Sequence, residues 1–125
     1  MSSLILLVED NEQNSYLAKF LLEHAGHRVK HAPSGDDALR FASEEKPDLG
    51  LMDIQLPVMD GYEAALRLRA LPGLDSLPIV AVTSYAMPGD RERAVLVGFV
   101  GYIEKPITAE TFADQVAKFL PLCTP

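Results

Sequence analysis

A chain of 125 residues can bury roughly two thirds of the surface it exposes when unfolded, so one hydrophobic core suffices without disulfides or a structural metal. Apolar residues make up 48% of the chain, which excludes extended disorder, and 18 acidic against 11 basic residues (net −7) lack the basic footprint that nucleic-acid binding demands. No apolar stretch approaches the roughly 20 residues of a membrane span, Met1-Ser2-Ser3 does not open a signal peptide, and the lone Cys123 is read as an incidental reduced thiol, so the expected location is the cytoplasm.

Strand-like and helix-like stretches alternate about every ten residues, the rhythm of βαβ units around a parallel sheet. Five of each are read. The first strand, Leu4 to Val8, runs into Glu9-Asp10. In the helix that follows, Leu17, Phe20, Leu21 and Ala25 fall at i, i+3, i+4 and i+8, which predicts one buried stripe ending at Gly26. A short second strand covers His27 to Ala32. Ser34, with Asp37 three residues on, predicts an N-cap and a helix through Ala38, Leu39 and Ala42 that Pro47 closes.

The central strand, Leu49 to Met52, ends at Asp53. Ile54 to Gly61 is kept as a loop by Pro57 and Gly61, and a third helix spans about Tyr62 to Ala70. Pro72-Gly73 and Pro78 delimit its exit. The fourth run, Ile79 to Val82, ends at Thr83; Pro88 fits the first turn of the fourth helix, which Gly98 terminates. A shorter run ends at Lys105. The last helix is expected from Thr108 as N-cap, with Phe112, Val116, Phe119 and Leu120 inward, before Pro121 and Pro125 break up the tail. With no repeat or linker, residues 1–125 are expected to form one domain.

If these runs are parallel strands of one sheet, their carboxyl ends share an edge, and residues far apart in sequence converge on one crevice. Three carboxylates, a hydroxyl and an ammonium there make a site for a divalent cation and a phosphoryl group. Asp53, at the mouth of a buried strand, is placed to attack phosphorus, although an aspartate read alone is more often an ordinary loop acid. Asp10 could cap the next helix, but capping accounts for one acid of the Glu9-Asp10 pair. Like charges held together call for a cation, and hard oxygens with room for water and phosphate suit Mg²⁺ better than Zn²⁺.

Lys105 is either a point-charge phosphate clamp, aimed by a cis bond at Pro106, or a solvated lysine. Thr83 is either a donor to a phosphoryl oxygen or a β-branched strand residue, and Tyr102 reads as a half-buried core ring. His24, His27 and His31 are read as surface residues, because no cysteine or carboxylate completes a closed site around them.

Glu9-Asp10, Asp53 with Pro57 and Gly61 after it, Thr83 with Ala86-Met87, Gly89-Asp90-Arg91-Glu92 and Lys105-Pro106 stand in an order and spacing that resembles the receiver domain of two-component response regulators. The likeness covers essentially the whole chain and is closest to receivers found as stand-alone proteins or in hybrid kinases. It implies an α/β fold, a flavodoxin-like (βα)5 three-layer sandwich with a five-stranded parallel sheet. It implies that Asp53 accepts phosphate from a phosphohistidine, that Asp10, Asp53 and the Gln55 carbonyl bind Mg²⁺ with Glu9 acting through water, and that Lys105 neutralises phosphoryl charge.

Thr83 and Tyr102 are then the implied switch pair, the hydroxyl moving to the phosphate and the ring turning into the space it leaves. The implied partners are a histidine kinase or histidine phosphotransferase and a downstream protein, with no direct nucleic-acid or membrane contact. That is a phosphoacceptor signalling role rather than an enzyme's. The alternatives are a receiver cut from a hybrid histidine kinase and a small aspartyl-phosphate phosphotransferase. The latter lacks a second aspartate two residues after the first. A flavin module is disfavoured because no Ser/Thr/Gly-rich phosphate loop follows the first strand.

Three departures from the family pattern carry expectations. Gly50 inside the central strand should leave slack or a small void, Ser84 should tune hydrolysis, and Phe99-Val100-Gly101 replaces a polar turn. Val95, Leu96, Val97, Phe99 and Val100 are apolar on more faces than one core contact needs. Burial is the expectation for them, with a weak homodimer or a partner surface as the alternative.

Overall fold

A computed structural model of the chain describes residues 3–56, 58–83, 90–105 and 107–120, the side chains of Asp90 and Arg91 excepted. The expectations for Met1-Ser2, Pro57, Ser84, Ala86-Met87, Pro88, Gly89, the Pro106 bond, Pro121, Cys123 and Pro125 lie outside the described residues.

Strands and helices alternate along the described residues as β1 (Leu4–Val8), α1 (Glu12–His24), β2 (Arg28–Ala32), α2 (Gly35–Glu44), β3 (Leu49–Asp53), α3 (Gly61–Arg69), β4 (Ile79–Thr83), α4 (Asp90–Val97), β5 (Gly101–Glu104) and α5 (Phe112–Ala117). All five strands pair in parallel, in the order β2-β1-β3-β4-β5. The order reverses between β1 and β3, and the crevice beyond their carboxyl ends is where such sheets hold ligands.

Strand periodicity sorts the core into two layers. Leu6, Val8, Met52, Ile79 and Ala81 meet Ala38, Ala64, Leu68 and Phe99 from α2, α3 and the end of α4. On the other face, Ile5, Leu7, Leu49, Leu51, Val80, Val82 and Ile103 meet Ala18 and Leu22 of α1 and Phe112 and Val116 of α5. The helices cover both faces, which is why β1, β3 and β4 are buried at every position and read as unbroken apolar runs.

The first helix buries a different face from the one its apolar spacing predicts. Ser15, Ala18 and Leu22 are buried, whereas Leu17 and Phe20 are 37% and 56% exposed. Small residues let α1 lie close to the sheet, and burial of Ser15 leaves no orphan because its hydroxyl donates to the Glu12 carbonyl at 3.0 Å. The cap is Asn11, whose side chain accepts from the Asn14 N–H at 2.9 Å, so Asp10 is not spent on capping. Ser34 caps α2 as expected, accepting from the Asp37 N–H at 3.1 Å, and Asp60 caps α3 through the Glu63 N–H at 3.0 Å.

Two further expectations change. The last helix begins at Phe112 with Thr111 at its cap position. Thr108 starts only the preceding turn, its carbonyl accepting from the Thr111 and Phe112 N–H groups. Gly50 leaves slack of about one methyl group, as expected, since a Cβ built there would lie in ordinary contact 3.4 Å from Ile79 Cγ1. Burial fails for part of the fourth helix: Phe99 is in the core and Val97 packs on it, but Val95, Leu96 and Val100 are 73%, 86% and 51% exposed. Gly98 ends that helix at φ +97°, a backbone conformation that glycine adopts without strain.

Candidate functional site

The same alternation that builds the core aims the charged side chains. Ile5 and Leu7 on β1, Leu49 and Leu51 on β3, and Ile103 on β5 all face α1 and α5, so two residues further on Glu9, Asp53 and Lys105 continue those rows past the sheet edge. The register pairs Val8 with Met52 and so places Glu9 beside Asp53. Glu9 and Asp53 are each 4% exposed, and Asp10 is exposed.

Lys105 closes the group. Its Nζ donates to Glu9 Oε1 at 2.7 Å and to Asp53 Oδ2 at 3.2 Å. The other oxygen of each acid is held by a backbone N–H two residues on: Asn11 to Glu9 Oε2 at 3.2 Å, and Gln55 to Asp53 Oδ1 at 2.9 Å. The main chain behind Glu9 is anchored from β2, where the His31 ring Nε2 lies 2.7 Å from the Glu9 carbonyl. A carbonyl only accepts, so this nitrogen carries the proton.

Below the acids lies a cavity of about 20 Å³, room for one water, bounded by Asn14, Leu51, Val82 and Phe112. Burial against this floor pushes Glu9 from 4.5 up to about 7. The Lys105 hydrogen bond pulls it down and Asp53 pushes it further up. For Lys105 burial opposes the charged form, but the hydrogen bond to Glu9 and the charges of Asp53 and Glu9 outweigh it and raise the ammonium above its usual value.

One ligand oxygen from each of Glu9, Asp10 and Asp53 can be chosen so that all three lie within 4.8 Å of one another, which among the described residues is the grouping able to hold an ion. Three hard carboxylates against one ammonium leave an uncompensated negative charge, and among the described residues no nitrogen or sulfur ligand joins them, so the donor set fits a small hard dication. Gln55 contributes its N–H to Asp53. Of the histidines expected at the surface, His24 is exposed and stacks on Phe20, whereas His27 and His31 are half-buried, His31 against the Glu9 carbonyl, and no histidine joins the ion-holding group among the described residues.

Thr83 and Tyr102 take the opposite face. Thr83 continues the row of Ile79 and Ala81, fully buried at the end of β4, and its carbonyl accepts the Lys105 N–H at 2.7 Å. Tyr102 pairs with Ala81 in the sheet and packs half-buried on the same side, one step behind Thr83. The structure thus gathers Glu9, Asp10, Asp53 and Lys105 into one crevice and sets Thr83 and Tyr102 side by side around the edge from it.

Two supporting residues escape the sequence reading. Gly61 is expected only as a loop former, yet a Cβ on it would lie 2.5 Å from both the Asp53 carbonyl oxygen and Ile54 Cα. It lets the start of α3 fold back against the main chain of Asp53, as the Gly61 N–H bond to the Ile54 carbonyl at 3.2 Å requires. His31 gives no sequence signal beyond its place on an edge strand.

Comparison with known proteins finds the family described as response regulator receiver domain over residues 5–117. The polar-differentiation response regulator DivK of Brucella ovis is 41% identical over 120 residues, 96% of this chain and 98% of the relative, and that of Brucella anthropi is 40% identical over the same span. The chemotaxis protein CheY4 of Vibrio cholerae superposes with a TM-score of 0.92 at 27% identity, covering 96% of this chain and 100% of that one. The receiver domain of the sensor histidine kinase PA1611 from Pseudomonas aeruginosa, solved with a magnesium ion in its active-site cleft, gives 0.85 at 35% identity over 95% and 98% of the two chains.

Proposed function

The chain belongs to the response regulator receiver domain family and is a two-component response regulator, and from that premise we propose that Asp53 is its phosphoacceptor, charged by a histidine kinase or histidine phosphotransferase. The observation that carries this reading is the closed contact of Lys105 with two nearly buried acids, at 2.7 and 3.2 Å. A carboxylate so enclosed attacks phosphorus in a site where charge is already being balanced.

In the proposed transfer an Asp53 carboxylate oxygen attacks the phosphoryl group, the phosphorus–nitrogen bond of the donor histidine breaks, and the imidazole leaves with the electron pair and takes up a proton. Lys105 follows the charge from the carboxylate to the phosphoryl oxygens. Glu9 and the Asn11 and Gln55 N–H groups fix the crevice while this happens. Mg²⁺ is the proposed cofactor, held by Asp10, Asp53 and the Gln55 carbonyl with Glu9 through water, and its chemistry there is neutralisation of the anionic groups brought together. The magnesium in the PA1611 receiver supports that assignment.

Thr83 and Tyr102 are proposed as the switch. Their place on one face of adjacent strands supports it, because a hydroxyl drawn toward a phosphoryl group would open space beside the ring. Phosphorylation then biases two pre-existing arrangements and alters the surface offered to a downstream protein. Residues 1–125 act in this reading as one receiver domain in the cytoplasm, a signalling switch rather than an enzyme on metabolites. Among the described residues no helix is long and apolar enough to cross a membrane.

The test is incubation of the protein with Mg²⁺ and acetyl phosphate, followed by intact mass and base treatment. The wild type gains one base-labile phosphoryl group and Asp53→Asn gains none. Equal labelling of the variant overturns the assignment of the nucleophile.

A further inference from the structure

We propose that the protein has a second, small-molecule site between α2 and the β1–β2 edge of the sheet, and that its ligand is a zwitterion with a compact apolar side chain, the α-amino-acid class. A cavity of about 210 Å³ opens there, with Leu4, Leu6 and Pro47 as its floor and Phe41 as one wall. Leu4 and Leu6 are 5% and 1% exposed, so the floor is core. Neither Glu9, Asp53 nor Lys105 lines this space.

Three charges stand on its walls, Lys30 from β2 and Glu44 and Glu45 at the end of α2. Among the described residues Lys30 and Glu44 make no ion pair. Lys30 rests on the ring of Phe41, its Nζ 4.4 Å from the centroid. The neighbouring charges are satisfied: Glu45 pairs with Arg28 at 3.0 Å, and Arg40 with Asp37 at 2.8 Å. Lys30 and Glu44 are therefore an opposite pair that share one cavity without meeting across it.

A dipolar molecule completes such an arrangement. Its carboxylate would reach Lys30 and its ammonium Glu44, which ends α2 and so lies at the negative end of the helix dipole. The side chain would lie on Leu4, Leu6, Phe41 and Pro47. A cavity of this volume is below the several hundred Å³ that holds a drug-sized ligand, which restricts the occupant to amino-acid size.

The test is an NMR titration of the full chain with L-leucine, and in parallel with 4-methylpentanoate, which lacks the ammonium, and 3-methylbutylamine, which lacks the carboxylate. Saturable shifts at Leu4, Leu6 and Phe41 are expected for leucine, with both analogues and the variants Lys30→Met and Glu44→Gln binding about fivefold more weakly, the worth of one exposed charge contact. Both variants lie at exposed positions, and their melting temperatures verify the fold. Asp53→Asn binds leucine as the wild type does, which separates this site from the phosphoacceptor. No saturable shift with leucine, phenylalanine or methionine overturns the proposal, and so does equal binding of leucine and the two analogues.

Discussion

Lys105 is bonded more tightly to Glu9, at 2.7 Å, than to Asp53, at 3.2 Å, so the lysine's first partner is not the residue proposed to receive the phosphoryl group. Each acid has one oxygen on a backbone N–H and the other on this ammonium. Lys105 is thus the one positive side chain among the described residues that holds two nearly buried carboxylates together.

Removing that charge should cost stability. Lys105→Met leaves Glu9 and Asp53 facing each other with no counter-charge, and breaking a buried pair by deleting one partner costs about 3 kcal/mol. Urea denaturation without divalent metal should show a loss of that order, and saturating Mg²⁺ should restore part of it, because binding to the folded state adds RT ln(1 + [L]/Kd). Unchanged metal-free stability would show that solvent already screens the acids.

The pH dependence has a defined sign. Glu9 titrates near 7 in the folded protein against 4.5 in its ordinary state, so between these values the folded chain holds a proton that the unfolded chain has released. Stability from this residue is therefore fully present below about pH 4.5, falls as pH rises to about 7, and stays at the lower level above. The size is about 3 kcal/mol. Lys105 acts in the same direction at the alkaline end, its stabilising contribution being lost only as pH rises through its raised value. Glu9→Gln, compared with wild type by denaturation at pH 5 and pH 8, should gain relative stability at the higher pH; a difference that does not change with pH rejects the coupling.

Much of this was readable before any coordinates. Four apolar runs, the last of them short, each end in a polar residue and mark the sheet edge, and counting by twos from Ile5, Leu49 and Ile103 brings Glu9, Asp53 and Lys105 onto one face. The same count puts Thr83 and Tyr102 on the other face. What failed was side-chain choice on helices. Tyr16, Leu17 and Phe20 outnumber the positions one face of α1 can bury, and small Ser15 and Ala18 carry no hydrophobic signal though they make the contact. At α4 the run from Val95 to Val100 gave no way to tell which residues would stay exposed. Gly61 was invisible as a packing residue because its role is defined by the absence of a side chain against Asp53.

Val58 tests whether strain is stored in the loop between Asp53 and α3. It is the one non-glycine residue with positive φ among the described residues, at 68°, and its side chain is fully exposed. A β-branched residue pays about 1 to 2 kcal/mol in that conformation through contact of its Cβ with the neighbouring carbonyl, and this side chain recovers nothing by packing. Val58→Gly removes the clash but adds freedom to the unfolded chain, worth roughly 0.5 to 1 kcal/mol in the opposite sense. The balance favours the variant by about 1 kcal/mol, a rise of about 3 to 5 °C in melting temperature for a domain of this size. Ile54, Leu56 and Met59 are buried and Gly61 is locked against Asp53, so among the described residues of this loop the misfit falls on Val58. A variant that melts at or below the wild-type temperature would mean that the left-handed conformation at this position carries no strain.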